Sequence, residues 1–539
     1  MPIRPDRTAL PMLETPPPVA DRPRSPATPA PEVAEFGTDR AVLPSFHVWT
    51  LGCQMNQSDS EEMAGALLAA GCPEAPDLES AELIVINTCS IREAAEQKVI
   101  GRMGLLARLK QADHSVRVVL TGCSVRADNE DTLRRRYPAV DLFLRPDEEP
   151  ELAARLGLAG PTSPGGLGAP TYQRVGRSVA ATADRLAGTR AAAVEAGQVA
   201  RGHGAKAWLP IVYGCDKTCT YCIVPFARGP ERSRPFDDIV DEARSLAQAG
   251  YLEVTLLGQN VNSYGHDLPP DPRFAELASE RSLGRAQDRT GRPDIAALLR
   301  AIDALPGPTG APAIPRLRFV TSHPWDLTAR LIEAMADCPS VCEHLHLPVQ
   351  SGDDETLRRM GRGYTVEAYL DLVDRLRAAV PGISLTTDVI TGFCDESESA
   401  FEGTLELLRT VRFDQVFAAA YSERPGTPAT RLADDVPQAE KKRRLNELLA
   451  VQEAIGAELN EAWLGRRSEV LVDEARQPRA HEHGSSEREG PRLVGRNREH
   501  KLVHLDGPAS LVGTLVTVEV ERTGPYALSG RLIEEQGHA

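Results

Sequence analysis

The chain has 539 residues, 41% of them hydrophobic, room for about three or four domains with ordinary buried cores. No run of about 20 apolar residues occurs, which excludes a membrane-spanning helix. The formal net charge of −16 argues against nucleic-acid binding by the chain as a whole, since phosphates need cations, and leaves open only a local basic surface on one domain.

The opening segment, MPIRPDRTALPMLETPPPVADRPRSPATPAPE, is broken by prolines throughout. It lacks the apolar stretch of a secretory leader, so residues 1–44 read as a disordered Pro-rich tail and the cytoplasm is the expected compartment. In that reducing setting the ten cysteines are not expected to form disulfides, and their placement carries the information.

Residues 45–158 read as a first α/β domain. Three short apolar, β-branched runs, at 46–51, 83–88 and 116–121, suit strands buried on both faces. Each ends in a cysteine: Gly52-Cys53, Cys89 and Gly122-Cys123. A helical pattern follows over 58–70, with Met63, Leu67 and Leu68 at helix spacing, and another over 92–110, with Val99, Met103, Leu106 and Leu109. Alternating strands and helices predict a parallel sheet, whose ligand sites lie beyond the carboxyl ends of the strands. Three thiols at that edge can converge on iron or zinc; three separate core cysteines are the alternative. Cys72, before Pro73, does not share the placement and reads as structural.

Residues 159–200 are rich in Gly, Ala and Pro and read as a linker. In the region 201–436, a strand-like run at 208–213 leads into a compact loop with Cys215, Cys219 and Cys222 in C-x3-C-x2-C spacing. Three thiolates on one tight loop can hold three irons of a [4Fe-4S] cluster and leave the fourth open, the mark of a reactive site. Zinc is the alternative, although no fourth Cys or His lies nearby in sequence. Further strand-like runs at 254–258, 317–321, 344–347, 383–388 and 415–418 alternate with helices and predict a full or partial (β/α) barrel. Polar residues cluster just after these strands, where barrels place their chemistry: Gln259, Asn260 and Asn262, Ser322 and His323, Gln350 and Ser351, and Asp388. Segment 266–293 is polar and reads as a surface insertion, and Cys338 and Cys342, lacking a third partner, read as structural.

Residues 437–464 predict an amphipathic connecting helix that opens on Lys441-Lys442-Arg443-Arg444, a solvated face or an RNA contact. Over 465–535, runs at 468–472, 493–496, 501–505, 515–520 and 528–532 suggest a small five-stranded barrel. Arg492, Arg496, Arg498 and Lys501 sit close together on it and are the expected RNA contacts, which gives an acidic chain a local basic surface.

The loop YGCDKTCTYCIVPFARGPERSRP (213–235) resembles the signature of the radical S-adenosylmethionine (SAM) superfamily. With TLGCQMNQSDSE (50–61), NTCSIREAAEQK (87–98), LLGQNVNSYG (256–265), RFVTSHPWD (318–326), HLPVQSGDDETLRRMGRGYT (346–365) and YSERPGTPA (421–429), the chain from about 45 to 535 resembles the methylthiotransferases. The C-terminal strands resemble the TRAM domain, an OB-like RNA-binding module.

The resemblance implies an N-terminal parallel α/β sheet domain, a central radical SAM partial (β/α) barrel and a C-terminal OB-like β-barrel. It implies two [4Fe-4S] clusters: an auxiliary one on Cys53, Cys89 and Cys123, and one that cleaves SAM on Cys215, Cys219 and Cys222. Tyr221 would lie beside the adenine of SAM, with Gln259, Asn260, Ser322, Gln350 and Asp388 as further cofactor contacts. Gly52-Cys53-Gln54-Met55-Asn56 is similar to the branch acting on N6-dimethylallyl-adenosine 37 in the anticodon stem-loop of tRNA. The ribosomal-protein branch has Pro-Lys-Asn after that cysteine, and the threonylcarbamoyl-adenosine branch has Lys at position 54. One SAM would methylate a sulfur on the auxiliary cluster. A second would yield the radical that takes the hydrogen from C2 of the adenine, which the methylthio group then joins. That C–H bond has no useful acidity, so a cofactor must open it, and the base must be splayed out of its loop. A monomer with an electron donor, a sulfur donor and no membrane completes the expectation; a zinc-stabilised RNA-binding protein is the reading from a different class. Two departures stand out. Gly392-Phe393-Cys394-Asp395-Glu396-Ser397 replaces the family's Gly-Phe-Pro-Gly-Glu-Thr, and Ser124-Val125-Arg126 after Cys123 lacks the usual glutamine.

Overall fold

The computed structural model describes residues 43–89, 93–158, 199–200, 204–277, 290–476 and 491–533. The expected tail over 1–44 and linker over 159–200 lie almost wholly outside the described residues, as does the middle of segment 266–293. Among the described residues, no helix is long and apolar enough to cross a membrane.

Four parallel strands, β1 (Phe46–Thr50), β2 (Leu83–Asn87), β3 (Arg117–Thr121) and β4 (Leu142–Phe143), lie side by side in chain order. The run Leu83-Ile84-Val85-Ile86 is fully buried because apolar clusters cover both faces of the sheet. Helices Gln54–Ala69 and Glu93–Ala112 follow β1 and β2. The two-residue β4 is too short to leave a periodic signal in the sequence.

The central domain begins with β5 (Lys206–Pro210) and a two-residue strand β6 (Val212–Tyr213), which pairs antiparallel with β7 (Arg232–Ser233). The sequence reading took 208–213 as one strand and missed this hairpin, which clasps the base of the cysteine loop. Then come β8 (Glu253–Leu257), β9 (Arg316–Phe319), β10 (His344–His346), β11 (Ser384–Thr391) and β12 (Gln415–Ala420). Strands β5-β8-β9 and β10-β11-β12 form two parallel sheets, joined by a bridge between Leu317 and Val341, so the barrel is partial. Leu209, Leu256, Phe319, Leu345 and Leu385 belong to the core under the helices. By the strand's period of two, Glu253, Arg318, His344, His346, Asp388 and Phe417 line the inside.

Helix Gln438–Glu461 leads to a closed five-stranded barrel of β13 (Arg467–Arg476), β14 (Arg492–Asn497), β15 (Leu502–Asp506), β16 (Leu515–Thr523) and β17 (Leu528–Leu532). Alternate apolar residues, among them Val470, Val472, Leu493, Val503 and Val518, fill its interior. The turn between β14 and β15 packs against the amino ends of the central strands. Arg318 donates to the carbonyls of Asn497 (2.7 Å) and Arg498 (2.9 Å) and to Glu253 (2.9 Å). Fully buried Arg316 donates to the carbonyl of Arg496 and to Glu469. His344 and His500 stack with centroids 4.5 Å apart. The small barrel therefore closes the floor of the central one, opposite the cysteine loop.

Removing one partner of a buried ion pair leaves the other charge uncompensated. Arg318→Met would leave Glu253 with the longer contact to Lys206, at 3.4 Å. The variant should lose about 3 kcal/mol of stability in urea unfolding followed by circular dichroism.

Candidate active site

The cysteine loop is braced on three sides. Gly214 has φ +77°, and a Cβ there would collide with the carbonyl of Pro230, so the close approach of these strands requires glycine. The Gly214 N–H donates to Gln259 Oε1 at 2.5 Å, and the Glu231 N–H to Asp216 Oδ1 at 3.0 Å. Cys215 and Cys219 are buried and Cys222 is half-buried. Arg362 Nη1 lies 3.4 Å from Cys219 Sγ.

The second triad stands at the carboxyl edge of the N-terminal sheet. Gly52 has φ +133°, and a Cβ there would sit 2.7 Å from Cys89 Cβ. Gly122 has φ +91° and touches the backbone of Thr88, where a Cβ would overlap the carbonyl oxygen. These two glycines let the loops carrying Cys53 and Cys123 close on Cys89. Burial pushes the Cys123 thiol up to about 12, opposed by Arg228 and reinforced by Cys89 and Cys53. Burial likewise pushes the Cys222 thiol up to about 12, with Cys219 and Cys123 both adding to the shift. Arg228, six residues after Cys222, has its Nε 3.1 Å from Cys123 Sγ, so the loops carrying the two triads are neighbours across the domain boundary.

Among the described residues, Asp216, Glu231 and His266 form a group of three whose ligand atoms all lie within 4.8 Å of one another. His266 sits 3.3 Å from Asp216 and 3.1 Å from Glu231, so the start of segment 266–293 braces the cysteine loop rather than lying free on the surface.

Above the strand ends lies a polar rim. Asn260 Oδ1, Ser322 Oγ and Gln350 Oε1 are buried without a hydrogen-bond partner among the described residues. Unpaired buried polar atoms are costly and need an explanation, which a polar ligand supplies. Thr321 (φ 69°) and Gln350 (φ 76°) hold left-handed backbone, strain of the kind that collects at functional sites. Tyr221 packs edge-on against Phe393, centroids 6.5 Å apart. Asp388 lies 3.4 Å from His346 Nε2 on the inner wall. Gln259, expected at the cofactor, spends its Oε1 on Gly214 and so holds the loop. His323 caps a turn, its Nδ1 accepting the Trp325 N–H (3.2 Å), while burial, Arg362 and Lys217 hold its pKa well below the usual range.

The expected RNA contacts are placed differently from one another. Lys501, 8% exposed, pairs with Asp414 (2.6 Å) and donates to Asn460 (2.7 Å). Arg498 pairs with Glu343 (2.8 Å) and donates to the carbonyls of Pro339 and Val341. The charges of both are committed to docking the small barrel on the central one. Arg496 donates to the carbonyl of His500 (2.9 Å), and Arg492 remains half-buried at the start of β14. In the basic run of the connecting helix, Lys441 and Arg444 are buried against Asp434 and Glu396.

Residues 209–408 match the Radical SAM superfamily, and residues 45–145 match Uncharacterized protein family UPF0004. A tRNA-2-methylthio-N(6)-dimethylallyladenosine synthase of Carboxydothermus hydrogenoformans is 40% identical over 91% of this chain and 99% of its own length. One of Acetivibrio thermocellus is 38% identical over 90% of each. This chain belongs to the tRNA-2-methylthio-N(6)-dimethylallyladenosine synthase family. Among solved structures, the radical S-adenosylmethionine methyltransferase TsrM of Kitasatospora setae aligns with 72% of this chain and 77% of its own, at 14% identity and a TM-score of 0.49.

In this synthase-family chain, Cys394 is buried against Met360, Phe393 and Tyr421, and burial raises its pKa, so its thiol is a packing group. Sequence reasoning missed Arg228 and Arg362, whose guanidiniums reach cysteine sulfurs. Both lie within motifs quoted above, but their partners are over 100 residues away in the chain.

Behind the triad of Cys53, Cys89 and Cys123, Glu149 is buried and accepts from Thr121 Oγ1 at 2.7 Å. Burial and Asp59 push its pKa up to about 8, against the pull of Arg228. A raised carboxyl pKa contributes stability that is complete below its unfolded value and lost as pH rises through about 8. Thermal unfolding of the metal-free protein should show Glu149→Gln more stable than the parent above pH 8, the gap narrowing steadily toward pH 5.

Proposed function

We propose that this chain methylthiolates C2 of N6-dimethylallyladenosine at position 37 of tRNA, by radical SAM chemistry on two [4Fe-4S] clusters. The names of its relatives support substrate and product, and the neighbouring cysteine triads carry the reading. Cys215, Cys219 and Cys222 would hold the cluster that binds SAM, and Cys53, Cys89 and Cys123 the auxiliary one. When bound, these groups supply a deoxyadenosyl radical and the methylthio donor. Asn260, Ser322, Gln350 and Asp388, with Tyr221, would bind and orient SAM. The polar atoms left unpaired on the first three favour that role.

Phe417 is 47% exposed on the inner wall, edge-on to His346 at 5.7 Å. It offers an apolar surface for an adenine with a prenyl tail. The turn of the small barrel seals the floor, so the base enters from the rim and water is kept from below. One chain supplies every residue named. The anticodon stem-loop is the proposed partner, with the base flipped out to reach the site.

Anaerobically reconstituted protein should carry about eight irons, and with SAM and a prenylated anticodon stem-loop it should form the 2-methylthio nucleoside, read by mass spectrometry. Cys53→Ala should lose the product but still release 5′-deoxyadenosine, whereas Cys219→Ala should lose both. Gly122→Ala should behave like Cys53→Ala. Zinc without sulfide in the parent protein would support an RNA-binding protein instead. Methylthiolation of threonylcarbamoyl-adenosine or of a ribosomal protein would move the chain to another branch.

A further inference from the structure

Arg228 ends the short helix Val224–Arg228 that follows the SAM-site cysteines, yet its guanidinium lies inside the N-terminal domain. Its Nε is 3.1 Å from Cys123 Sγ. Its Nη2 donates to Asn56 Oδ1 (3.1 Å) and Asp59 Oδ2 (2.6 Å). Arg228 is 7% exposed, and Asn56, Asp59, Cys123 and Glu149 around it are all buried. The Cys53 thiol, 3.6 Å away, donates to the same Asn56 Oδ1, so Arg228 and Cys53 meet on one amide oxygen.

A buried charge costs several kcal/mol unless it is paired and hydrogen-bonded, and an apolar contact would join two domains more cheaply. The cation is therefore tied to what it faces. A hydrogen bond to a ligand sulfur fixes the sulfur's direction, and positive charge beside a cluster favours its reduced state. Arg362 stands in the same relation to Cys219, but its anchors, the Pro348 carbonyl (2.6 Å) and Tyr364 (2.9 Å), belong to its own domain. Arg228 crosses from one domain to the other.

We propose that Arg228 is a positioning residue for the auxiliary cluster, supplied by the SAM-cleaving domain, so that the auxiliary site is complete only when the two domains are docked. It directs Cys123, holds Asn56 beside Cys53 and sets the charge at the cluster. This inference rests on the reading that Cys53, Cys89 and Cys123 ligate a cluster.

The test compares full-length parent, Arg228→Met and Arg228→Lys proteins after anaerobic reconstitution. Iron content and the reduction midpoint of each cluster are read by potentiometric electron paramagnetic resonance. Arg228→Met should shift the auxiliary midpoint to lower potential and leave the SAM-site midpoint in place, and Arg228→Lys should recover most of the shift. Loss of the auxiliary cluster from Arg228→Met but not from Arg228→Lys also supports the proposal. Unchanged midpoints in Arg228→Met, or equal shifts in both clusters, overturn it. A parent protein with about four irons rather than eight would instead overturn the two-cluster reading on which it stands.

Discussion

Two cysteine triads can serve one substrate only if two separate parallel sheets turn their carboxyl edges toward each other, and that constraint organises this chain. Each sheet places its loops at its own edge by the ordinary logic of α/β folds. Nothing in either sheet brings the edges together. That task falls to helix Gln54–Ala69, which packs against β5, and to polar contacts between the domains, among them Arg228 on Cys123 and Asp59 and Arg126 on the carbonyl of Pro425. Glycine is the second requirement. Gly52, Gly122 and Gly214 all precede triad cysteines and all have positive φ, where a Cβ would meet neighbouring atoms at less than van der Waals distance.

Much of this was legible in the sequence, for physical reasons. β2 and β3 are apolar because both faces are covered, and the strands of the small barrel alternate because one face is; both patterns survive in one dimension. Cys53, Cys89, Cys123 and Cys215 stand two or three residues past the ends of β1, β2, β3 and β6, so their placement at strand ends could be read in one dimension. Much of what escaped depends on a distant partner. The cluster of Arg498 and Lys501 looked like a phosphate-binding surface, but their anions, Glu343 and Asp414, come from the central domain. Gln259 and His323 sit where a ligand would, yet one holds a backbone amide and the other caps a turn. The hairpin of β6 and β7 was invisible because two-residue strands carry no period.

The placement of the cations also changes how an acidic chain can handle RNA. Arg316, Arg318, Arg498 and Lys501 all lie at the junction of the two barrels, where they neutralise Glu469, Glu253, Glu343 and Asp414. Their charge is spent on geometry: it fixes the small barrel beneath the central one and shuts the floor of the cavity. In the proposed reaction, the C-terminal module thus has a part in the chemistry as well as in RNA affinity, since an open floor would admit water to a radical site. Water exclusion and substrate entry are thereby assigned to opposite ends of one barrel. The sealed end is held by buried ion pairs, and the entry end carries the polar rim of Asn260, Ser322 and Gln350, each with a buried oxygen that has no partner among the described residues.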